Sequence, residues 1–296
     1  MAFINIFVSK PYNLHVKDNQ LVVDNTTFPL QEVNCLMIDN YSTTLSCYAL
    51  NALVQANATI IVCDKFHMPS VLCLPYQGYY KRLAVLECQM DMPKPRKKQL
   101  WQTIVKNKLL GQAKCLQLLG IADASNKLVA LSKQVASNDA DNKEAEGARL
   151  YFAQLFGETF SRKQENATNG ALNYCYAIVR SLIARHLCAR GFECALGIFH
   201  KNKLNAFNLV DDVLELFRPI VDYLVCNCDI DQDELSSATK KQLFCILNVE
   251  VGLDNKKISL SNAVERVCES LLAYYKQEVD EICIPQLIGC RQCEYE

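Results

Sequence analysis

The sequence predicts an α+β protein: a small N-terminal β domain with one short helix, followed by a larger all-α-helical domain. Two changes of texture carry that reading. Over residues 1–75 the apolar residues fall in short runs rich in β-branched side chains, whereas over 100–296 they recur every three or four positions. Between them, Pro93 and Pro95 interrupt a basic stretch, so 76–99 reads as a basic linker. A chain of 296 residues is long enough for two such domains, each with its own core.

In the first part, INIFV, LVV, CLMI, ATIIVC and SVLCL read as strands separated by polar or turn residues. TTLSCYALNALVQAN reads as the short helix, with Ser or Thr available as its cap. No glycine-rich phosphate loop follows any strand, so a dinucleotide fold is unsupported. In the second part, LWQTIVKNKLLGQAKCLQLL and ALNYCYAIVRSLIARHLCARG carry helical periodicity, with Trp101 read as an anchor of the first and Gly191 as the stop of the second.

Composition narrows the function classes. With 50% hydrophobic and 21% charged residues the chain is globular rather than disordered. No apolar run reaches the eighteen or so residues that cross a bilayer, and the N-terminus has no secretion leader, so the expected setting is cytoplasmic, without a membrane. Sixteen scattered cysteines then read as reduced thiols. Cys290 and Cys293, with Cys283, Cys226 and Cys228, come nearest to a zinc signature, but their spacing is too loose for one. The net charge of −1 argues against a uniformly basic nucleic-acid binder. Charge is nevertheless segregated: Met92 to Lys114 holds seven bases and no acid. Such a stretch suits phosphate binding and equally suits a solvated helix face.

The stretch HKNKLNAFNLVDDVLELFRP, residues 200–219, gathers one of only four histidines and three acids. On a helix, Asp212 and Glu215 share a face, as do Asp211 and Glu215. His200 follows the apolar segment FECALGIF and is either a ligand or an ordinary structural histidine. A further acid is available from SNDADNKEAEGARLYFAQLFG, where Ser137, Asn138 or Asp139 caps a helix bearing Glu144 and Glu146 at different azimuths. Spacing alone leaves the choice between these two glutamates open. One imidazole with two or three carboxylates makes a mixed N/O site suited to Mg²⁺ or Mn²⁺, and a basic helix beside it suits phosphodiester chemistry. The plainer reading is a set of helix caps and surface charges.

Four stretches, LWQTIVKNKLLGQA, NKEAEGARLYFAQLFG, NGALNYCYAIVR and HKNKLNAFNLVDDVLELFRPIVD, together resemble the CRISPR-associated spacer-acquisition integrases, a family of metal-dependent DNA endonucleases, in the short form of type II systems. The resemblance implies a metal site of Glu144, His200 and Glu215 with Mg²⁺ or Mn²⁺, and thereby favours Glu144 over Glu146. Asp212 matches an acid that accompanies the site as a supporting group or weaker ligand. The chain departs from the family pattern at Ala145, Gly147, Cys175 and Leu216, none of them a proposed ligand. The implied activity joins 3′-hydroxyl ends of short double-stranded DNA fragments into a CRISPR repeat by transesterification, with 100–296 as the catalytic domain and 1–75 as the dimerisation domain. Arg96, Lys97, Lys106, Lys108, Arg162 and Arg218 are the candidates for the DNA backbone. The implied partners are a second copy of the chain, a small ferredoxin-like companion that bridges two dimers into a hetero-hexamer, a type II effector nuclease and a ring-forming DNA-end-binding protein. A non-catalytic DNA-binding scaffold and a simple divalent-metal nuclease are the competing functions.

Overall fold

The computed structural model describes residues 4–75, 81–230 and 235–292. Cys293 and residues 76–80 of the expected linker lie outside them. The chain forms two compact units that divide between Tyr80 and Lys81.

The first unit contains strands β1 (Ile4–Val8), β2 (Asn13–Lys17), β3 (Gln20–Val23), β4 (Thr26–Pro29), β5 (Val33–Ile38) and β6 (Thr44–Leu45), helix α1 (Cys47–Gln55), then β7 (Thr59–Cys63) and β8 (Pro69–Cys73). One sheet runs β1-β5-β7-β8, parallel except for the edge strand β8, and a second runs β4-β3-β2-β6. Strand β5, VNCLMI, an inner strand of the first sheet, is buried at every position, which explains its lack of polar alternation. Ser46 caps α1 by accepting the Ala49 N–H at 3.1 Å. Ile6, Val8, Leu36, Leu53 and Ile60 fill the core of this unit. The five expected strands and the helix are present; β2, β4 and β6 are short and polar and were not foreseen.

The second unit begins with α2 (Arg82–Asp91) and α3 (Lys94–Leu118), so most of the expected linker is helix. Pro95 lies in the first turn of α3, where its missing N–H costs no intrahelical bond, and the proline therefore starts the helix rather than breaking the chain. Helices α4 (Ala122–Ser132), α5 (Lys143–Phe156), α6 (Ala167–Ala189), α7 (Asn208–Leu214), α8 (Arg218–Cys226) and α9 (Ser237–Leu243) follow. The unit is not all-α. Strands β9 (Val249–Leu253) and β10 (Lys256–Ser259) form a hairpin, and after α10 (Leu260–Tyr275) strand β11 (Gln286–Gln292) pairs on the other side of β9. The hairpin turns at Asp254 and Asn255, both at positive φ, a two-residue connection suited to these residue types.

Helix α3 is the spine of this unit. Trp101, Ile104, Val105, Lys108, Leu109 and Gln112 lie on its buried side, and it packs against α4, α5 and α8. Two glycines set how closely. A Cβ on Gly147 of α5 would fall 2.2 Å from Leu109 Cδ2, and one on Gly111 of α3 would fall 2.9 Å from Pro219 Cγ of α8. Both close approaches flank Lys108, and they bring α5 and α8 within reach of its side chain. Among the described residues no helix is long and apolar enough to cross a membrane.

Candidate metal and nucleic-acid site

Helix α5 starts after a 3₁₀ turn, Ser137–Asp139. Of the three capping candidates Asp139 performs the task, accepting the N–H groups of Lys143 at 2.8 Å and Glu144 at 3.1 Å. The cap fixes the first turn and with it the two glutamates. Glu146 faces outward and pairs with Lys143 at 2.9 Å, whereas Glu144 turns inward to Lys108, whose Nζ donates to Oε1 at 2.6 Å.

The stretch that carries Asp211, Asp212 and Glu215 forms two helices, α7 and α8, with Glu215 between them. Pro219 carries no N–H and starts α8, and Glu215 occupies the turn at the end of α7. Asp211, Asp212 and Glu215 therefore serve three different neighbours. Asp211 pairs with Arg180 of α6 at 2.6 Å. Asp212 is fully buried and holds the loop before His200: Oδ2 accepts the N–H groups of Ile198 and Phe199 at 2.6 and 3.1 Å, and Oδ1 accepts the His200 N–H at 3.2 Å and lies 2.6 Å from His200 Nδ1. Both Asp212 oxygens are thus engaged by the loop that carries His200. Glu215 Oε1 accepts from Arg218 Nε at 2.8 Å. Its Oε2 lies 2.5 Å from Lys108 Nζ as a buried ion pair.

The electrostatics follow from these contacts. Burial alone would raise the Glu215 carboxyl, but Lys108 and Arg218 hold it down at about 2. Burial opposes charge on Lys108, yet Glu215 and Glu144 outweigh it and raise the ammonium above its ordinary value. The hydrogen bond to Asp212 raises His200 against its partial burial. Engaging Nδ1 in this way fixes the tautomer and leaves Nε2 as the available ring nitrogen. Trp101, read from sequence as an anchor of its own helix, also positions this histidine: it stacks on Phe199 at 4.4 Å and meets His200 edge-on at 5.7 Å.

His200 and Glu215 line a cleft of about 550 Å³ with Arg162, Arg180, Arg218 and Asn173. Asn173, Tyr176 and Arg180 were not singled out from sequence, although their spacing of three and four on α6 marks one polar face. Arg162, in the connection between α5 and α6, donates to Asn173 at 2.6 Å and lies over Tyr176; Arg218 of α8 lies over the same ring. The remaining basic candidates divide. Lys106 is exposed, and Lys97 is half-buried and feels Lys201, a loop lysine that sequence reasoning had passed over. Arg96 is tied to α10, pairing with Asp280 at 2.9 Å and lying over the Tyr274 ring. Lys108 is buried between two carboxylates, not displayed to a DNA backbone; its sequence position, between Val105 and Leu109 on the apolar face of α3, carried that signal.

Among the described residues no three His, Cys, Asp or Glu side chains form a ready metal cluster. The donor set nevertheless fits a hard divalent ion. Two carboxylates already converge on one cation, and an imidazole with a fixed tautomer lines the same cleft as Glu215.

The family model "CRISPR associated protein Cas1" matches residues 6–250. A CRISPR-associated endonuclease Cas1 from Neisseria meningitidis serogroup C (strain 8013) is 33% identical over 304 residues, covering 100% of both chains. Among solved structures, a casposase bound to integration product superposes with a TM-score of 0.73 at 17% identity, over 95% of this chain and 92% of that one. A chain of a Cas6-RT-Cas1–Cas2 complex gives 0.70 at 14% identity, over 94% of this chain and 35% of its own length. These two likenesses concern the fold, whereas the family match and the full-length relative concern descent; on those two grounds the chain belongs to the Cas1 family of CRISPR-associated proteins.

Proposed function

We propose that the chain is a metal-dependent DNA integrase and endonuclease that joins 3′-hydroxyl ends of short DNA fragments into a CRISPR repeat by transesterification, in the cytoplasm of a bacterium. The observation that carries this reading is the convergence of Glu144 and Glu215 on a single cation, beside a cleft that His200 shares with Glu215 and three arginines. Glu144, Glu215 and the Nε2 of His200 would hold Mg²⁺ or Mn²⁺. When bound, such an ion stabilises negative charge on a scissile phosphate and lowers the pKa of an attacking hydroxyl.

The rest of the chemistry belongs to the chain. Asp212 keeps Nδ1 of His200 engaged, so the ring presents Nε2 to the cleft. Arg218 orients Glu215 through Nε while its guanidinium stays over Tyr176 at the cleft wall. Arg162 and Arg180 add positive charge where a DNA backbone would lie, and Lys97 with Lys201 extends it. Family membership and the fold shared with a chain of a Cas1–Cas2 complex support assembly as a homodimer bridged by a small ferredoxin-like companion into a hetero-hexamer. In a type II system the effector nuclease and a ring-forming DNA-end-binding protein would join it.

The test offers the protein a 3′-hydroxyl fragment and a supercoiled repeat plasmid in Mg²⁺ or Mn²⁺. Joined product is expected, and Glu144→Ala, His200→Ala or Glu215→Ala abolishes it in folded protein. DNA retention without joining identifies a scaffold, and cutting without joining a plain nuclease. Fragments ending in 3′-phosphate should not react; equal reaction of both ends would exclude direct transesterification.

A further inference from the structure

Lys108 has no part in the reaction just outlined, yet it occupies the centre of the site. It is 7% exposed, its Nζ lies 2.6 Å from Glu144 and 2.5 Å from Glu215, and it comes from α3 while the two acids come from α5 and the end of α7. A buried ammonium shared by two carboxylates on different elements is costly to desolvate, and apolar residues of similar volume often do as well or better for stability alone. The arrangement makes sense if the cation has something else to do.

We propose that Lys108 is the resident counter-ion of this site, holding Glu144 and Glu215 together while no divalent ion is bound, and that the divalent ion enters by displacing its ammonium. The inference rests on the proposed metal-dependent reading. Its physical basis is space and charge. Both carboxylate oxygens touch one nitrogen, so they lie within about 5 Å of each other, a spacing at which two uncompensated carboxylates repel strongly in a buried site. The ammonium removes that repulsion and keeps the ligands near coordination distance. Mg²⁺ reaches its oxygen ligands at about 2.0–2.1 Å, so an ion taking these same two oxygens leaves no room for Nζ between them. A lysine can yield where an arginine fork would not, because its charge is a compact group on a flexible four-carbon stem. Lys108 is thus a positioning residue that works against the metal: it preassembles two of the ligands and lowers the apparent affinity of the site it preserves.

The full-length protein is titrated with Mn²⁺, and free ion is followed by its electron paramagnetic resonance signal, in wild type, Glu144→Gln, Glu215→Gln and Lys108→Met. Loss of binding in both glutamine variants supports the metal site itself. Lys108→Met, which keeps most of the unbranched stem and removes the ammonium, should then bind Mn²⁺ about tenfold more tightly than wild type or better, and should melt lower than wild type without metal while regaining most of the difference when saturated. Equal or weaker binding by a folded Lys108→Met protein overturns the inference and leaves the metal site standing. Absence of Mn²⁺ binding in wild type removes both readings. Should Lys108→Met not fold, a crystal structure of the wild type with Mn²⁺ decides: Nζ withdrawn from both glutamates supports displacement, and Nζ still bridging them beside a bound ion refutes it.

Discussion

Replacing Asp212 by Asn tests the part of the site that does not depend on any ligand. The side chain is fully buried, one oxygen accepting two backbone N–H groups and the other accepting a third and facing His200 Nδ1. Asparagine keeps the shape but replaces one oxygen by an NH₂ group. Whichever way the amide turns, its donors face two donors of the loop. A buried donor left unsatisfied costs about 1–3 kcal/mol, so the pair costs about 4 kcal/mol. For a unit of this size that corresponds to a fall in melting temperature of roughly 10 °C. The adjacent Asp211 supplies the control, because its ion pair with Arg180 is only partly buried and Asp211→Asn should cost about 1 kcal/mol or less. The pH dependence has a definite sign. The bond to Asp212 raises His200 above its ordinary 6.5, so its contribution is full below that value and is lost as pH rises through the raised one. The deficit of Asp212→Asn is therefore larger at pH 5 than at pH 9. Calorimetry at both pH values, with NMR titration of the His200 ring, measures these quantities. An Asp212→Asn protein that melts within about 2 °C of Asp211→Asn, with an unchanged His200 titration, would refute the supporting role.

Gly197→Ala should disturb the same loop without adding or removing a charge, since its Cβ would fall 2.3 Å from the His200 carbonyl oxygen and 2.8 Å from Asp212 Oδ2; a loss of about 1–3 kcal/mol by denaturant unfolding is expected. Gly147→Ala should cost a similar amount despite alanine's better helix propensity, because the new methyl overlaps Leu109 Cδ2, and a gain in stability would contradict the close approach of α3 and α5. Asp222 is held up at about 6 by burial, against the Tyr176 hydroxyl and Arg218, so its contribution is full below 3.8 and is lost as pH rises through 6. Asp222→Asn, which can still accept the Tyr176 hydroxyl, should flatten the stability curve between pH 4 and pH 7 by about 3 kcal/mol, as chemical denaturation across that range would show. Removing the positive charges of Lys97 and Lys201 together should weaken DNA binding alike for all sequences and reduce the salt slope by about 2, measured by fluorescence anisotropy.

How far the site could be read in the sequence differs from residue to residue. The choice of Glu144 over Glu146 was unreadable from helix spacing, because both lie in the first turn; the fold separates them by turning one toward α3 and the other toward Lys143. Asp212 and Glu215 share a face in an ideal helix, but the break at Pro219 puts Glu215 in a turn and sends the two acids to different partners. The basic stretch is divided by the fold. Counted along the chain it suits a phosphate-binding surface or a solvated helix face, whereas in three dimensions Arg96 is tied to Tyr274 of α10 and to Asp280, and Lys108 is buried between Glu144 and Glu215.

By itself the sequence determined the strand-rich start and most of the helical remainder, because hydrophobic period and turn chemistry are local properties, and it supplied the residue types of the candidate site. It did not reveal the late three-stranded sheet, whose short strands gain their stability only by pairing, with α10 intervening in the chain between β10 and β11. Only the tertiary structure decided which acid meets which cation. That depends on how closely α5 and α8 approach α3, a distance set by Gly147 and Gly111 against Leu109 and Pro219, which are remote from them in sequence. Charge pairing across such gaps is fixed by packing, and packing is not written in the spacing of residues along one helix.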